Sequence, residues 1–262
     1  MQANNNIDKG KAFDWGRSSK DYAKYRNIYP DEFYQKILDL SLCTSGQSVL
    51  DLGTGTGELP RNLYNHGAKF VGIDISKQQI AEARKLSLLQ DMDIEYFVVA
   101  AEDTAFPDCS FNVVTACQCF IYFNQEILFP KIHRQLKENG HFCILWMGWL
   151  PFEDDIAQQS ESLVLKYNPA WTGAGFQRNV PVIPKTALPY FEEEHALSYD
   201  IKIPFSRQSW HGRMIACRGI GASSLPQETI RNFEEDHQSY LMTVPETFEV
   251  LHNVTLLNLK KR

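Results

Sequence analysis

A glycine-rich turn is the feature of this 262-residue sequence that points most directly to chemistry. The apolar run 48–52 predicts a strand, and Gly53, Gly55 and Gly57 follow it, ahead of a stretch with helical character. Glycines let the backbone approach a ligand closely, and the first turn of a helix offers free N–H groups. Because ligands of open α/β sheets lie beyond the carboxyl ends of strands, this turn is predicted to be a binding site.

A carboxylate at the end of the next apolar run indicates the class of ligand. Asp74 lies within the run 70–75, which predicts a second strand. A carboxylate at the end of that strand can accept hydrogen bonds from ribose hydroxyls. A glycine turn alone could be a tight strand–helix connection without a ligand, but the added carboxylate favours an adenosine-containing cofactor.

The spacing of the glycines distinguishes between cofactors. Turns that bind nicotinamide or flavin dinucleotides carry a third small residue three positions after the second glycine, where the helix packs on the strand. Here that position is Glu58. The sequence also lacks the lysine and serine or threonine that complete a phosphate-binding loop. An NAD(P)-dependent oxidoreductase is therefore the weaker alternative.

Strand-like and helix-like segments alternate over residues 47–150, which predicts an α/β fold. The predicted strands are 48–52, 70–75, 94–99, 111–117 and 141–147, and the predicted helices are 58–66, 76–90 and 125–137. Consecutive strands joined by helices form crossover connections, so the sheet is expected to be mostly parallel, with helices on both faces. Ser76 followed by Gln79 predicts a capped helix start.

This alternation ends after Trp149. Prolines are frequent in 150–190, which predicts an irregular insertion or lid. A sixth strand is predicted at 196–205, a helix at 226–241 and a final strand at 246–259.

The motifs together resemble those of class I S-adenosylmethionine-dependent methyltransferases, specifically the small-molecule, type 11-like group. Segment 51–57 resembles the first motif of that family, and 72–76 resembles the second strand with its ribose-binding acid. The adenine-contacting loop is matched by 101–103, the fourth strand by 106–114, the turn into the fifth strand by 134–142, and the amino-terminal closing segment by 22–30. Asn112 departs from the family, which usually has Asp there.

The resemblance implies a fold and a set of site residues. The fold is a Rossmann-like, seven-stranded, mostly parallel sheet whose last strand is antiparallel and lies beside the fifth. Asp74 would bind the ribose, Ile75 would pack on adenine, and Gln118 would lie near the methionine end of S-adenosylmethionine. The full implied cofactor-binding set is Tyr25, Arg26, Asp51, Gly53, Thr54, Gly55, Gly57, Asp74, Ile75, Ala101, Glu102 and Gln118.

Four segments are predicted from these patterns. They are a cap (1–30), a cofactor-binding core (31–149), a lid or substrate-binding insertion with the sixth strand (150–225), and a helix and strand that complete the core sheet (226–262).

A group of basic residues gives a weaker indication of the methyl acceptor. On a regular helix, Arg207, His211 and Arg218 fall within one narrow arc, and a bend could add Arg213. Such a stripe would suit an acidic acceptor, such as a carboxylate, although a solvated helix face is equally consistent with it. We therefore take His211, Arg213 and Arg218 as candidate substrate-binding residues and assign no catalytic base.

Composition limits the remaining classes. The chain is 44% hydrophobic with a net charge of −6, which suits a globular protein and disfavours broad contact with nucleic acid. It has no apolar run of about 18 residues and no apolar signal core, so we expect a cytoplasmic protein with no membrane partner. The cysteine spacing predicts no metal site. A small-molecule methyltransferase is the preferred function, a catalytically silent cofactor-binding protein remains an alternative, and monomer and homodimer both stay open.

Overall fold

A seven-stranded sheet organises the chain in the computed structural model, which describes residues 7–25 and 28–262. The strands are β1 (Ser48–Leu52), β2 (Lys69–Asp74), β3 (Glu95–Val98), β4 (Phe111–Cys117), β5 (Leu136–Trp149), β6 (Phe191–Ser206) and β7 (Thr247–Lys261). Their order in the sheet is β3-β2-β1-β4-β5-β7-β6, and the first five form parallel pairs. The predicted Rossmann-like fold is confirmed.

The core strands are mostly apolar because both of their faces are buried. Val49, Leu50 and Leu52 of β1 are all at most 1% exposed, so both faces of the strand carry buried apolar side chains. A strand with one wet face would instead alternate apolar and polar residues. The sequence signal at 48–52 was clear for this reason, and the predicted and observed bounds of β1 agree.

The last strand runs antiparallel to the fifth, as the resemblance implied. The Leu150 N–H, just after β5, donates to Leu251 O of β7 at 3.0 Å. At the other end, Lys261 Nζ of β7 donates to Leu136 O of β5 at 2.7 Å. The start of β5 therefore meets the end of β7, which places β7 between β5 and β6.

Eight α-helices accompany the sheet in the part of the chain that the structure describes. They are α1 (Ser19–Tyr25), α2 (Asp31–Asp39), α3 (Glu58–Leu63), α4 (Lys77–Leu89), α5 (Gln125–Gln135), α6 (Asp155–Tyr167), α7 (Arg207–Ile215) and α8 (Gln227–Leu241). The Ser76 cap is confirmed, since its hydroxyl accepts the Gln79 N–H at 3.4 Å. Within these ranges, none of the helices has the length and apolarity needed to cross a bilayer.

Residues 150–190 are more regular than predicted. Helix α6 occupies 155–167, and the Asp154 side chain caps it by accepting the Ala157 N–H at 2.9 Å. The prediction was wrong here because the prolines lie on either side of this helix and none lies within it. Residues 168–184 do lack helix and strand, and within them the Gly175 N–H donates to Glu161 Oε2 of α6 at 2.8 Å.

The chain divides into two compact units. Among the described residues, the first contains 7–25, Ile28, Gly148–Arg178 and Asp200–Asn253, and the second contains Tyr29–Met147, Asn179–Tyr199 and Val254–Arg262. These limits differ from the predicted segments 1–30, 31–149, 150–225 and 226–262. Helix α8 belongs to the first unit because it packs on α6 and α7.

A chain of side-chain hydrogen bonds joins these three helices. The Gln238 side-chain nitrogen can only donate, so His211 Nε2 accepts from it at 3.3 Å. His211 Nδ1 then carries the proton and donates to His237 Nδ1 at 2.9 Å, and His237 Nε2 donates to Ser160 Oγ at 3.1 Å. Both imidazoles are therefore neutral in this arrangement.

Acid is expected to destabilise this helical packing. Burial lowers the pKa of both imidazoles. The pKa of His237 falls to about 3, because the neighbouring His211 ring also opposes its positive charge. An unfolded histidine titrates near 6.5, so the unfolded chain binds more protons between these values. The unfolding free energy should therefore fall as pH drops from about 6.5 towards 3, by up to ~1.4 kcal/mol per pH unit for His237.

Urea denaturation of the wild type and of His237→Gln, repeated between pH 4 and pH 8, measures this dependence. The variant should show a shallower fall than the wild type. His66→Gln, at an exposed histidine, is the control and should leave the slope unchanged. An equal fall of the unfolding free energy with pH in the wild type and His237→Gln would contradict this role of His237.

Candidate functional site

The glycine turn adopts a backbone conformation that side chains resist. Gly53, Gly55 and Gly57 have φ values of 56°, 57° and 75°, all in the left-handed region. A residue with a side chain is disfavoured there by ~1–2 kcal/mol. The turn lies at the carboxyl end of β1, as predicted, and Gly53 and Gly55 are partly exposed.

Neighbouring side chains also require glycine at two of these positions. A Cβ on Gly53 would lie 2.8 Å from the Cβ of Cys119, and one on Gly57 would lie 2.3 Å from the hydroxyl oxygen of Tyr96. Cys119 and Tyr96 were not recognised from the sequence as part of the site. No local pattern could have revealed them, because both reach the turn from distant segments.

Asp74 fixes the turn to the end of β2. Its Oδ2 accepts the Gly55 N–H at 3.0 Å, and its Oδ1 accepts the Ser76 N–H at 2.8 Å. Burial raises the pKa of Asp74, and these two N–H donors partly offset that effect. An ionised carboxylate offers about four acceptor positions, so two protein bonds leave capacity for ligand hydroxyls.

Asp51 contributes a second, deeper carboxylate. It is 2% exposed, and the Thr115 hydroxyl donates to its Oδ1 at 2.6 Å. Burial raises the pKa of Asp51 to about 6, against the effect of that hydrogen bond. Asp51 and Asp74 therefore place two carboxyl groups near the ends of two adjacent strands.

The residues expected near adenine differ in exposure. Ile75 is 45% exposed, whereas Ala101 is only 5% exposed. Glu102 is half-buried, and its Oε1 accepts the Asn124 N–H at 2.7 Å. Thr54 lies in the glycine turn and is buried.

Gln118 follows β4 directly and has an unusual backbone. Its φ is 63°, although it is not glycine. Its side-chain nitrogen donates to Met147 O at 2.6 Å, at the end of β5. The second unit therefore brings the glycine turn, Asp74, Glu102 and Gln118 to the carboxyl ends of its parallel strands.

The two predicted capping residues belong to the amino-terminal segment. Tyr25 lies in the first unit, where a Cβ on Gly212 of α7 would come within 2.4 Å of its ring. Arg26 lies outside the described residues.

The predicted basic stripe does not form as one helix face. Helix α7 ends at Ile215, so Arg218 is not on it. Arg218 is buried and pairs with Asp8 at 2.9 Å, while Arg207 pairs with Glu246 at 3.3 Å. The prediction was wrong because it extended a regular helix through a segment that turns away.

The other two candidates of that group have different surroundings. His211 hydrogen-bonds to His237. Arg213 is 5% exposed, and its guanidinium lies 4.8 Å from the centre of the Trp149 ring. Trp149 in turn donates to Glu161 Oε1 at 2.6 Å. Each of these side chains therefore has contacts within the first unit.

Comparison with known proteins places this arrangement in a family. Residues 50–144 match the model of the methyltransferase domain. An O-methyltransferase of Aspergillus sclerotiorum is 36% identical over 105 residues, which cover 38% of this chain and 40% of that protein. The chain spans about half the length of the curated relatives it matches.

Solved structures show the same fold at low sequence identity. The YcgJ protein of Bacillus subtilis is 15% identical with a TM-score of 0.53, covering 89% of this chain and 99% of that one. A geranyl diphosphate C-methyltransferase of Streptomyces coelicolor, solved with S-adenosylhomocysteine, is 13% identical with a TM-score of 0.50, covering 88% and 79%. The family match over residues 50–144, together with the strand order and the glycine turn, identifies this part of the chain as a class I S-adenosylmethionine-dependent methyltransferase domain.

Proposed function

We propose that the protein transfers a methyl group from S-adenosylmethionine to a small-molecule acceptor. The observation that carries this proposal is the bond between Asp74 and the Gly55 N–H, which holds a left-handed glycine turn beside a carboxylate with spare acceptor positions. This pairing suits a nucleoside whose ribose hydroxyls donate to the carboxylate. Ile75, 45% exposed beside it, offers apolar surface for adenine.

The charge at the site also suits this cofactor. S-adenosylmethionine carries a positive sulfonium, and the Asp51 and Asp74 carboxylates create a negative local field that attracts a cation. When bound, the cofactor supplies an electrophilic methyl carbon for in-line displacement. The protein holds and orients the cofactor. The glycine turn and Asp74 bind it, and Gln118 and Glu102 lie at the same edge of the sheet.

The acceptor is proposed only as a small molecule. The acidic acceptor expected from the sequence depended on a continuous basic stripe, and Arg207 and Arg218 instead form ion pairs with Glu246 and Asp8. An acidic acceptor now rests on Arg213 alone, whose guanidinium is buried against Trp149. The acceptor panel should therefore include neutral and acidic compounds in equal number.

Two measurements test the proposal. Isothermal titration should show binding of S-adenosylmethionine and S-adenosylhomocysteine and no binding of NAD(H). Turnover to S-adenosylhomocysteine with the acceptor panel then separates an enzyme from a catalytically silent cofactor-binding protein. Binding of NAD(H) in place of S-adenosylmethionine would overturn the proposal.

A further inference from the structure

The backbone at Gln118 is held in a conformation that it would not adopt alone. A φ of 63° is rare for residues with a side chain. Two hydrogen bonds to β5 hold it: the Gln118 N–H donates to Leu145 O at 2.9 Å, and its side-chain nitrogen donates to Met147 O at 2.6 Å. Such conformations persist where the surrounding structure fixes them, often beside functional sites.

This turn brings the next residue against the glycine turn. The Cys119 thiol donates to Leu52 O at 3.0 Å. The same side chain lies so close to Gly53 that a Cβ there would be 2.8 Å from the Cβ of Cys119 and 3.6 Å from the Phe123 ring. Cys119 and Phe123 therefore pack against Gly53.

The same segment also reaches Glu102 at its far end. The Asn124 N–H donates to Glu102 Oε1 at 2.7 Å. The Asn124 side chain in turn accepts the Glu126 N–H at 3.1 Å and caps α5, which keeps that residue in place. Residues 118–124, here called the support segment, thus contact both Gly53 and Glu102.

We propose that Gln118 is a positioning residue whose amide bond to Met147 sets the support segment, and through it the glycine turn and Glu102, for cofactor binding. This proposal rests on the proposed function above. It differs from direct ligation, because the Gln118 amide acts through its bond to the Met147 carbonyl and not through a bond to the cofactor. The proposal also implies that the end of β5 influences cofactor binding without contacting the cofactor.

Gln118→Glu tests the hydrogen bond between the Gln118 side chain and Met147 O. An ionised glutamate would set a carboxylate against the Met147 carbonyl oxygen, whereas a protonated one can donate as glutamine does. Relative to the wild type at the same pH, the affinity for S-adenosylhomocysteine should fall about tenfold at pH 8 and recover as the pH falls towards about 4.5, near the ordinary pKa of glutamate. Gln90→Glu, at an exposed glutamine, is the matched control and should show no change at either pH.

Gln118→Gly provides a second variant that should fold, because glycine accepts the left-handed backbone while removing the amide. Its affinity should be reduced to a similar extent at every pH. In both variants, Cys119 should react faster with iodoacetamide at pH 8, as measured by peptide mass mapping. That readout requires no cofactor, and wild-type Cys119 is 8% exposed.

The outcomes separate the two proposals. If the wild type binds neither S-adenosylmethionine nor S-adenosylhomocysteine, the proposed function fails, and thiol reactivity still reports on the support segment. If the wild type binds and Gln118→Gly binds equally well, the positioning role is wrong. If both variants bind less tightly while Cys119 reacts at the wild-type rate, the support segment has not moved and Gln118 acts on the cofactor directly, which also overturns the proposal.

Discussion

Asp74→Ala is expected to reduce the affinity for S-adenosylmethionine by at least about 100-fold. Each charge-assisted hydrogen bond to a ribose hydroxyl contributes ~1.5–3 kcal/mol, and two would be lost. The substitution also removes the acceptor for the Gly55 N–H, which frees the glycine turn from β2. Isothermal titration of the wild type and the variant measures the effect.

Two further variants show where the affinity is lost. Asp74→Asn keeps the shape and one acceptor oxygen, so it should bind more tightly than Asp74→Ala but still well below the wild type. Asp108→Ala removes an exposed carboxylate of the same type and should bind normally. Unchanged affinity in both Asp74 variants would rule out this carboxylate as a cofactor ligand.

Gly57→Ala is expected to lower the unfolding free energy by about 2–5 kcal/mol. The left-handed backbone, with φ of 75°, accounts for ~1–2 kcal/mol. The added Cβ would also lie 2.3 Å from the Tyr96 hydroxyl oxygen, and such overpacking costs ~1–3 kcal/mol. Urea denaturation at neutral pH measures the loss.

The chain offers a control that separates the two causes. Gly46 has a φ of 82° and no atom within 4 Å of its added Cβ, so Gly46→Ala reports backbone strain alone, at about 1 kcal/mol. In Gly57→Ala combined with Tyr96→Phe, the combined loss should be smaller than the sum of the single losses, because the hydroxyl is gone. Equal losses in Gly46→Ala and Gly57→Ala would contradict the steric argument.

The sequence alone was sufficient for the features that local chemistry controls. A parallel strand buried on both faces is mostly apolar, a tight turn into a helix favours glycine, and a helix start favours a capping acceptor. The bounds of β1 and the Ser76 cap were therefore predicted correctly. Helix α6 was missed because prolines on either side of it outweighed the weaker local preference for a helix.

Contacts between distant segments were decided only by the tertiary structure. The Arg218 side chain could extend a basic stripe or meet an acid from the start of the chain, and spacing along one segment cannot distinguish these. Likewise, Gly53 predicts a turn from the sequence alone. Its close contact with Cys119 arises only because β4 lies beside β1 in the sheet. Sequence patterns indicate which elements form and which are buried. The residues that contact each other across elements depend on which elements are neighbours in the folded chain.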